Sequence, residues 1–348
     1  MTQILTVLIG LVAALYGFTA WKSHAIEQSF PNIGTLTDVG GYKLNALHIP
    51  APVNPQMPPI VFIHGASGNL RDQAAAFRHL FEGKAEMLFV DRPGYGYSER
   101  GGPENDTPDG QADAIATLME RTGIRSAIIV GHSFGGAIAA SFAVQHPDRT
   151  AGLVLLSAVL YPWNGDVDWY YHLAARPWLG RLFTRLVTLP AGLAVIDKAT
   201  QAVFHPNPRP EGYLEDGAPA LVLRPDNFRS NAIDLSNLNG YLGRAAPRYR
   251  GIAAPTVIIT GDSDAIVSVD IHSRQMARDV KGAQLVVIHG VGHKPDYVAG
   301  DVVQAAVEGL AGVPSDLQAV ARRVEARIAP QEPAQAGEPA MDMSIERP

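Results

Sequence analysis

Short apolar runs alternate with longer amphipathic stretches from about residue 35 onward, and this rhythm is the strongest constraint that the sequence places on the fold. The apolar runs are Ile60–Ile63, Met87–Val90, Ala127–Val130, Leu153–Leu156, Thr256–Thr260 and Leu285–Ile288. Most of them are continuous rather than alternating in polarity, as expected of strands that are buried on both faces. Helical patterns separate them, at about Arg71–Phe81, Gly110–Arg121, Phe134–Gln145, Val269–Val280 and Tyr297–Leu310. The repetition predicts an α/β fold whose mostly parallel central sheet carries helices on both faces.

Two regions depart from this rhythm. Residues 35–49 hold Gly40-Gly41 between two short segments, which predicts an antiparallel hairpin on the edge of the sheet. Residues 160–250 are rich in proline and show no strand pattern, so we predict a helical cap inserted between two strands. This stretch concentrates large aromatic rings, namely Trp163, Trp169, Tyr170, Tyr171 and Trp178. Such rings suit an apolar pocket or a bilayer interface, and packing of the cap on the sheet is the alternative.

The overall composition excludes several classes of protein. The net charge is −6 and basic residues form no run, so the chain lacks the electrostatic footprint of a nucleic-acid-binding protein. There is no cysteine, which excludes disulfides, thiolate zinc sites, iron–sulfur clusters and cysteine nucleophiles. We therefore expect a globular protein that binds no nucleic acid and uses neither a metal nor a cofactor.

The first residues of the chain are strongly apolar. Ile4–Trp21 is a stretch of eighteen residues without a charged side chain, and as a helix it is about 27 Å long, close to the hydrocarbon thickness of a bilayer. This predicts a single N-terminal transmembrane anchor over residues 1–25, with an orientation that the charges do not decide. A cleaved signal peptide is the alternative, since Ser23 and Ala25 stand at the spacing of a cleavage site and the product would be exported and soluble. A buried core helix is the third interpretation.

The chain ends in two different segments. Residues 313–328 carry apolar side chains at positions 317, 320, 321, 324 and 328, which predicts a C-terminal helix with one apolar face. Residues 329–348 are rich in Pro, Ala and Glu without periodicity, which predicts a disordered tail. One domain over residues 30–312, with the cap at about 160–250, accounts for the rest.

The strongest local motif follows the run Ala127–Val130. There the chain reads Gly131-His132-Ser133-Phe134-Gly135-Gly136 and enters the helical pattern Phe134–Gln145. A serine in a tight turn between strand and helix, with glycine two residues before and after it, is typical of a nucleophile elbow. Bulk is excluded at the glycines because the turn is sharp, and the helix directs its free N–H groups at the site. We predict that Ser133 is a nucleophile; a chance match in a glycine-rich chain is the alternative.

A serine hydroxyl needs a base to accept its proton. In the chain order that accompanies an elbow, this base follows the last strand, and Gly290-Val291-Gly292-His293 follows Leu285–Ile288. We therefore predict His293 as the base. His289, the nearest rival, still belongs to the strand run.

The base in turn needs a carboxylate that fixes its tautomer. Asp262 and Asp264 both follow the run Thr256–Thr260. Asp262 suits a turn-capping role, in which its side chain bonds nearby backbone N–H groups. We predict Asp264 because it lies farther out on the loop, and Asp262 remains the alternative.

A tetrahedral intermediate needs two backbone N–H donors. One is expected from the residue after the nucleophile, Phe134. The loop after Ile60–Ile63 reads His64-Gly65-Ala66-Ser67-Gly68, and the N–H of Ala66 is the predicted second donor. An ordinary strand-to-helix turn is the alternative interpretation of His64-Gly65.

Taken together, these segments resemble the α/β-hydrolase superfamily, in its lid-bearing branch of small esterases, lipases and related hydrolases. The resemblance rests on His64-Gly65, Asp91-Arg92-Pro93-Gly94-Tyr95-Gly96-Tyr97-Ser98, Gly131–Gly136, Gly261-x-x-Asp264 and Gly292-His293, in the order of the family. It implies that Asp91–Ser98 is a structural loop without a catalytic role. It also implies acyl-enzyme chemistry at Ser133, because the similar haloalkane dehalogenases and epoxide hydrolases carry aspartate at the elbow.

The expected function is that of a serine hydrolase cleaving a hydrophobic or lipid-like carboxylic ester, held at a membrane by its N-terminal helix. A C–C bond hydrolase acting on a diketone product is an alternative that uses the same residues, as is a cofactor-free perhydrolase or haloperoxidase. From another class, a non-catalytic binding protein with a hydrolase fold is the remaining alternative. The sequence determines neither the ester nor the oligomeric state.

Overall fold

The computed structural model of the protein describes residues 1–329, and a single eight-stranded sheet organises them. The strands are β1 (Thr35–Asp38), β2 (Lys43–Ile49), β3 (Ile60–Ile63), β4 (Met87–Val90), β5 (Ala127–His132), β6 (Thr150–Leu156), β7 (Thr256–Gly261) and β8 (Gln284–Ile288). Their order in the sheet is β1-β2-β4-β3-β5-β6-β7-β8. β1 and β2 form the predicted hairpin, and β2 pairs antiparallel with β4; every other pairing is parallel. The predicted fold class, an α/β fold with a mostly parallel sheet, is confirmed.

Helices cover both faces of this sheet. They are α1 (Thr2–Ser29), α2 (Leu70–Phe81), α3 (Pro108–Arg121), α4 (Phe134–Gln145), α5 (Trp169–Ala175), α6 (Leu179–Phe183), α7 (Leu189–Phe204), α8 (Tyr213–Asp216), α9 (Pro225–Ala245), α10 (Arg274–Asp279), α11 (Pro295–Val298), α12 (Gly300–Leu310) and α13 (Leu317–Ile328). α3, α4 and α10 pack on one face, and α2, α12 and α13 pack on the other. The pleat of β3 divides its side chains accordingly: Val61 and Ile63 join the first cluster, Ile60 and Phe62 the second. Burial on both faces explains why the strand runs are continuously apolar.

Side-chain caps explain where several helices begin. The Asn69 side chain accepts a hydrogen bond from the N–H of Arg71, so α2 begins at Leu70, one residue earlier than predicted. Thr107 caps α3 in the same way, and Pro108 occupies the first turn, where its missing N–H costs nothing. Asp316 caps α13 by accepting from Ala319.

Two predicted helices are interrupted. The pattern over 269–280 is a π-helical turn, Val269–Ser273, followed by α10. The pattern over 297–310 divides into α11 and α12 because Ala299 leaves the helical conformation, with φ −126° and ψ 37°. The tail predicted over 329–348 falls, apart from its first residue, outside the described residues.

The cap lies between β6 and β7, as predicted, and consists of α5 to α9 with a π-helical turn at Thr184–Thr188 between α6 and α7. A buried charge cluster joins it to the sheet. The Asp234 carboxylate on α9 pairs with the Arg92 guanidinium at 3.0 Å and with that of Arg100 at 2.6 Å. The side chains of Arg92 and Asp234 are fully buried, so each must have its partner to remain charged there. This cluster holds the cap in place over the carboxyl edge of the sheet.

The N-terminal helix also contacts the cap. α1 continues to Ser29, past the predicted segment 1–25, and packs against Thr184–Thr188 and α7. Ile26 is buried in a small cluster with cap residues such as Leu189 and Leu221. The N-terminal part of α1 is exposed and strongly apolar.

Candidate active site

Four loops converge at the carboxyl edge of the parallel strands, the edge at which ligands bind in open α/β sheets. The loop after β3 carries Ala66, and the turn after β5 carries Ser133. The loop after β7 carries Asp264, and the loop after β8 carries His293. Neighbouring parallel strands end side by side, and this brings residues up to 227 positions apart to one place.

Ser133 sits in a strained turn between β5 and α4. Its φ of +53° with ψ of −118° is a conformation that residues other than glycine rarely adopt. A Cβ atom at Gly131 would lie 2.4 Å from the carbonyl oxygen of Gly135, and one at Gly135 would lie 2.3 Å from that of Ile63. Both glycines are therefore required for the elbow to close against its own helix and against β3.

The structure brings Ser133, His293 and Asp264 into one chain of hydrogen bonds. His293 Nδ1 lies 2.8 Å from Asp264 Oδ2, and His293 Nε2 lies 3.0 Å from Ser133 Oγ. A carboxylate only accepts, so Nδ1 carries the proton and Nε2 is left free to accept the serine hydroxyl proton. The three side chains are buried or nearly so, which strengthens these interactions.

The charge of Asp264 is maintained by its surroundings. Burial acts to raise the pKa of this carboxyl. The hydrogen bond from His293 and those from the N–H groups of Val267 and Ile266 lower the pKa by more than burial raises it. The net effect is a pKa below the usual range. Asp264 therefore remains an anion that can stabilise a protonated His293.

The alternative carboxylate, Asp262, pairs with a different histidine, His289. Its Oδ2 lies 2.7 Å from Nδ1 of His289, and its Oδ1 accepts from the N–H of Gly290 at 2.9 Å. His289 is exposed and follows β8 directly, so it is not in the strand itself. This pair links two loops at the surface, whereas the Ser133 hydroxyl is hydrogen-bonded to His293, the histidine that Asp264 orients.

The two predicted N–H donors belong to Ala66, in the loop after β3, and to Phe134, the first residue of α4. Within residues 1–329, no other group accepts a hydrogen bond from the N–H of Ala66 or of Phe134. The adjacent Ser67 is tied to the cap, since its N–H donates to Asn231 Oδ1 at 2.9 Å. Both N–H groups are thus available to a ligand.

Arg92 braces this part of the site, a role that the sequence did not indicate. Its guanidinium donates to the carbonyl oxygen of Gly65 at 3.2 Å and lies over the Phe134 ring, 4.4 Å from the centroid. His64 adds a second link: Nε2 accepts from the Arg92 N–H at 3.1 Å, while Nδ1 donates to the Gly65 oxygen at 2.8 Å. The motif Asp91–Ser98 thus has a structural role, as the resemblance implied, and part of that role is to support both N–H donors.

A buried charge cluster lies beside His293. The Lys294 ammonium contacts Asp72 at 2.8 Å and Asp296 at 2.9 Å. Asp72, Asp296 and His132 have ligand atoms close enough to hold a metal ion, yet the ammonium already supplies the positive charge there. Burial acts to lower the pKa of Lys294, but both carboxylates outweigh it and raise that pKa, so Lys294 stays charged. The cluster holds the His293 loop against α2 and α11.

Burial keeps two further histidines neutral, and each of them hydrogen-bonds to backbone groups. Burial lowers the pKa of His132 to about 4, and its Nε2 donates to the carbonyl oxygen of His293 at 2.8 Å. Burial likewise lowers the pKa of His272 to about 4, and its Nδ1 accepts from the N–H groups of Leu160 and Tyr161. A protonated ring has no acceptor left, so protonation of His272 breaks both bonds.

We therefore expect the protein to lose stability as the pH falls from about 6.5 to about 4. The unfolded chain takes up protons on these histidines first, since their folded pKa lies below the ordinary value, and each contributes at most about 1.4 kcal/mol per pH unit. Melting curves between pH 7 and pH 4.5, roughly spanning that window, would measure the slope. His272→Gln keeps an acceptor but does not titrate, so its melting temperature should fall less steeply than that of the wild type. Equal slopes would contradict the assignment.

A chamber of about 650 Å³ opens above Ser133 and His293. Its floor also includes Ala66, and most of its wall comes from the cap, including α7 and the ring side chains of α5. The sequence offered an apolar pocket as one role for the cap aromatic residues, and three of them line the chamber: Trp169, Tyr170 and Tyr171. Trp163 instead packs against the core, and Trp178 is exposed. The cap residues that line the chamber are mostly aliphatic or aromatic. Ser133 and Ala66 therefore face an apolar space.

Comparison with known proteins agrees with this architecture. The family described as alpha/beta hydrolase fold matches residues 58–295. A 2-hydroxymuconate semialdehyde hydrolase of Pseudomonas putida is 30% identical over 78% of this chain and 90% of its own length. A non-heme haloperoxidase of Rhodococcus erythropolis is 27% identical over 71% of this chain and 89% of its own. The crystal structure of a membrane phospholipase A, 21% identical, covers 89% of this chain and 99% of its own with a TM-score of 0.58. On its fold, its elbow and these matches, the chain belongs to the α/β hydrolase family.

Proposed function

We propose that this protein is a serine hydrolase that cleaves a hydrophobic carboxylic ester. The observation that carries the proposal is the hydrogen bond of 3.0 Å between Ser133 Oγ and His293 Nε2 at the floor of an apolar chamber. In this proposal Ser133 is the nucleophile, His293 the general base and acid, and Asp264 the carboxylate that orients it. The N–H groups of Ala66 and Phe134 form the oxyanion hole.

The proposed reaction has two balanced steps. Ser133 Oγ attacks the ester carbonyl while its proton passes to His293, and the oxyanion accepts from the two N–H donors. The intermediate collapses when His293 returns the proton to the leaving alcohol, which leaves an acyl group on Ser133. Water then attacks the acyl-enzyme in the same way, releasing the carboxylic acid and restoring the hydroxyl.

The charges of the chamber support a neutral, apolar substrate. Among the described residues that line it, Lys294 is the one side chain with a permanent positive charge, and Asp72 and Asp296 already accept its hydrogen bonds. An anionic group that approached Lys294 would lie near two carboxylates and one ammonium, a net negative environment. A hydrocarbon chain instead gains the transfer free energy of leaving water, about 25 cal/mol per Å² of apolar surface.

C–C bond hydrolysis is the second candidate, since it is favoured by the similarity to the 2-hydroxymuconate semialdehyde hydrolase. The same three side chains serve that reaction. The substrate named for that relative is a carboxylate, however, and the lining residues within the described part of the chain include no unpaired cation to bind one. The similarity to a haloperoxidase keeps perhydrolysis as a further alternative. A non-catalytic binding protein is disfavoured because all three side chains are in contact.

A panel of substrates would test the proposal. The purified protein is treated with p-nitrophenyl esters of increasing acyl length, with a meta-cleavage dienoate, and with hydrogen peroxide plus a carboxylic acid. We expect turnover of the esters with a preference for longer acyl chains. Faster cleavage of the dienoate would favour the C–C hydrolase. If a fluorophosphonate probe fails to label the folded protein at Ser133, the binding protein becomes the better interpretation.

We further propose that α1 anchors the protein in a membrane. Its most apolar stretch is long enough to cross a bilayer and is almost entirely exposed. Ile4–Trp21 holds no ionisable group that would need a partner in the hydrocarbon. Phe18 and Trp21 contact each other at its C-terminal end, where aromatic side chains suit the interface. A cleaved signal sequence can have the same length and composition and is the alternative.

We expect the full-length protein to remain with membranes after a high-salt or carbonate wash. A truncated variant that begins at Ile26 should be soluble and active, because it keeps the residue that packs on the cap and all of the proposed catalytic residues. Cell fractionation followed by ester hydrolysis would measure both. Intact-mass analysis is the control: a mature chain that begins at Ile26 would mean that residues 1–25 are a cleaved signal peptide.

A further inference from the structure

The cap presents an unusual apolar surface to the outside. Within the described residues, six large apolar side chains between positions 169 and 195 are 42–81% exposed. We call this group the cap apolar surface; its members are Trp169, Trp178, Leu179, Leu182, Val187 and Val195. Large groups of exposed apolar side chains mark sites that bind a protein, a membrane or a ligand.

This surface is continuous with the mouth of the chamber. Val187, Ala191 and Val195 are spaced by four residues and so lie on one face of the helical segment. All three are exposed and all three line the chamber. Trp169 and Ile266 share both properties. The opening toward Ser133 is therefore rimmed by apolar side chains rather than by polar ones.

The N-terminal helix fixes where this surface lies relative to a bilayer. Thr19 belongs to the apolar stretch Ile4–Trp21, yet it is 2% exposed, and Ile26 two turns later is buried against the cap. α1 makes these contacts with Thr184–Thr188 and α7, the segments that carry part of the cap apolar surface. The cap thus touches the last turns of the stretch proposed to cross the membrane. It must lie at the depth of the lipid headgroups if that stretch is embedded.

The segment that carries the cap apolar surface has a net positive charge, which suits anionic lipids. The whole chain has a net charge of −6, whereas residues 169–204 carry four basic side chains and one acidic one, Asp197. Arg176, Arg181 and Arg185 are exposed, and none of them pairs with a carboxylate in the part of the chain that the structure describes. Basic side chains beside an apolar helical face are typical of segments that lie in the interface of an anionic membrane.

We propose that the cap apolar surface docks on the anionic bilayer that holds α1, and that the ester substrate enters the chamber directly from that bilayer. The second clause rests on the proposed esterase function; the first does not. The surface is apolar and basic, it borders the chamber mouth and it touches the proposed anchor. A second copy of the chain is a less suitable occupant, because three unpaired arginines would face three others across a symmetric interface.

Spin labelling tests the docking without reference to activity. The chain has no cysteine, so a single nitroxide can be placed at Leu182→Cys in the full-length protein. Val53→Cys is the matched control, since Val53 is exposed and lies in the loop before β3, at the opposite edge of the sheet. In mixed phosphatidylcholine–phosphatidylglycerol vesicles, we expect oxygen to relax the label at 182 more than a water-soluble nickel complex does, and the reverse at 53. Equal aqueous accessibility at both positions would overturn the proposal.

Hydrolysis measurements test entry from the bilayer. Leu179 and Leu182 do not line the chamber, so Leu179→Asp/Leu182→Asp should leave turnover of a water-soluble p-nitrophenyl ester unchanged. Turnover of a fluorogenic long-chain ester embedded in the vesicles should fall by about tenfold or more. A tenfold change corresponds to about 1.4 kcal/mol, which is less than the free energy of transferring one leucine side chain out of water. Val53→Asp should change neither rate. Equal loss with both substrates would contradict entry from the bilayer.

The outcomes separate this proposal from the proposed function. Absence of turnover with both substrates in the wild type would refute the esterase function, while the label at position 182 would still report docking. Two results together would identify a second copy as the occupant. Unlabelled Leu182→Cys would form disulfide-linked dimers in the vesicles, and the spin label at position 182 would be shielded from both oxygen and the nickel complex. That outcome would overturn docking on lipid.

Discussion

Replacing Ser133 with alanine is expected to lower kcat for an ester by on the order of 10⁶-fold. The substitution removes the proposed attacking atom, and in the part of the chain that the structure describes no other hydroxyl is hydrogen-bonded to His293. Loss of the hydroxyl leaves the elbow otherwise unchanged, because Gly131 and Gly135 still allow the turn to close. The measurement is turnover of the best p-nitrophenyl ester, with the melting temperature as the test of folding.

Ser141→Ala is the matched control for this variant. Ser141 lies in α4, the helix that follows Ser133, and its hydroxyl is buried, but it bonds to the Tyr241 hydroxyl at 2.6 Å rather than to His293. We expect this control to lose some stability and to keep its turnover. Activity of Ser133→Ala within about tenfold of the wild type would refute the assignment, because a triad nucleophile is worth far more.

Asp264→Asn is expected to lower turnover by about 10⁴-fold. The carboxylate accepts the Nδ1 proton of His293, whereas an amide can present its NH₂ group to the ring and favour the tautomer with the proton on Nε2. In that tautomer the histidine cannot accept the proton of Ser133. The amide also lacks the negative charge that stabilises a protonated His293. Steady-state kinetics on the same ester would measure the loss.

Asp262→Asn provides the comparison, because Asp262 pairs with a histidine at nearly the same distance. That histidine, His289, is exposed and makes no contact with Ser133, so we expect turnover to change by less than about tenfold. A larger loss in Asp262→Asn than in Asp264→Asn would mean that the wrong carboxylate has been assigned.

Much of the fold was predictable because its signals are local. The six apolar runs predicted the six strands of the parallel part of the sheet, with ends that differ by at most three residues. Each run is short, continuous and bounded by turn residues, and these are properties of the strand itself. The break between α11 and α12 was missed because the apolar spacing continues across Ala299, and only the backbone conformation there ends the helix.

The candidate site was predictable for a related reason. Ser133, His293, Asp264, Ala66 and Phe134 each follow a predicted strand, and the parallel arrangement of those strands places their carboxyl ends together. The hydrogen bonds that join Ser133, His293 and Asp264 are observed, whereas the catalytic roles of all five residues are predictions that the variants test. The choice between Asp262 and Asp264 rested on a difference of two positions along one loop, and the sequence alone does not show which of the two side chains reaches His293.

The sequence by itself determined the α/β class, the position of the elbow and the apolar character of the N-terminus, because periodicity, glycine spacing and hydropathy act over a few residues. Tertiary structure alone decided which carboxylate meets His293, how Arg92 and Asp234 fasten the cap, and why Lys294 lies charged beside the site. It also buried Thr19 and placed Ile26 against the cap. Such contacts join residues up to 222 positions apart, and their free energy depends on burial and partner geometry that no local pattern records.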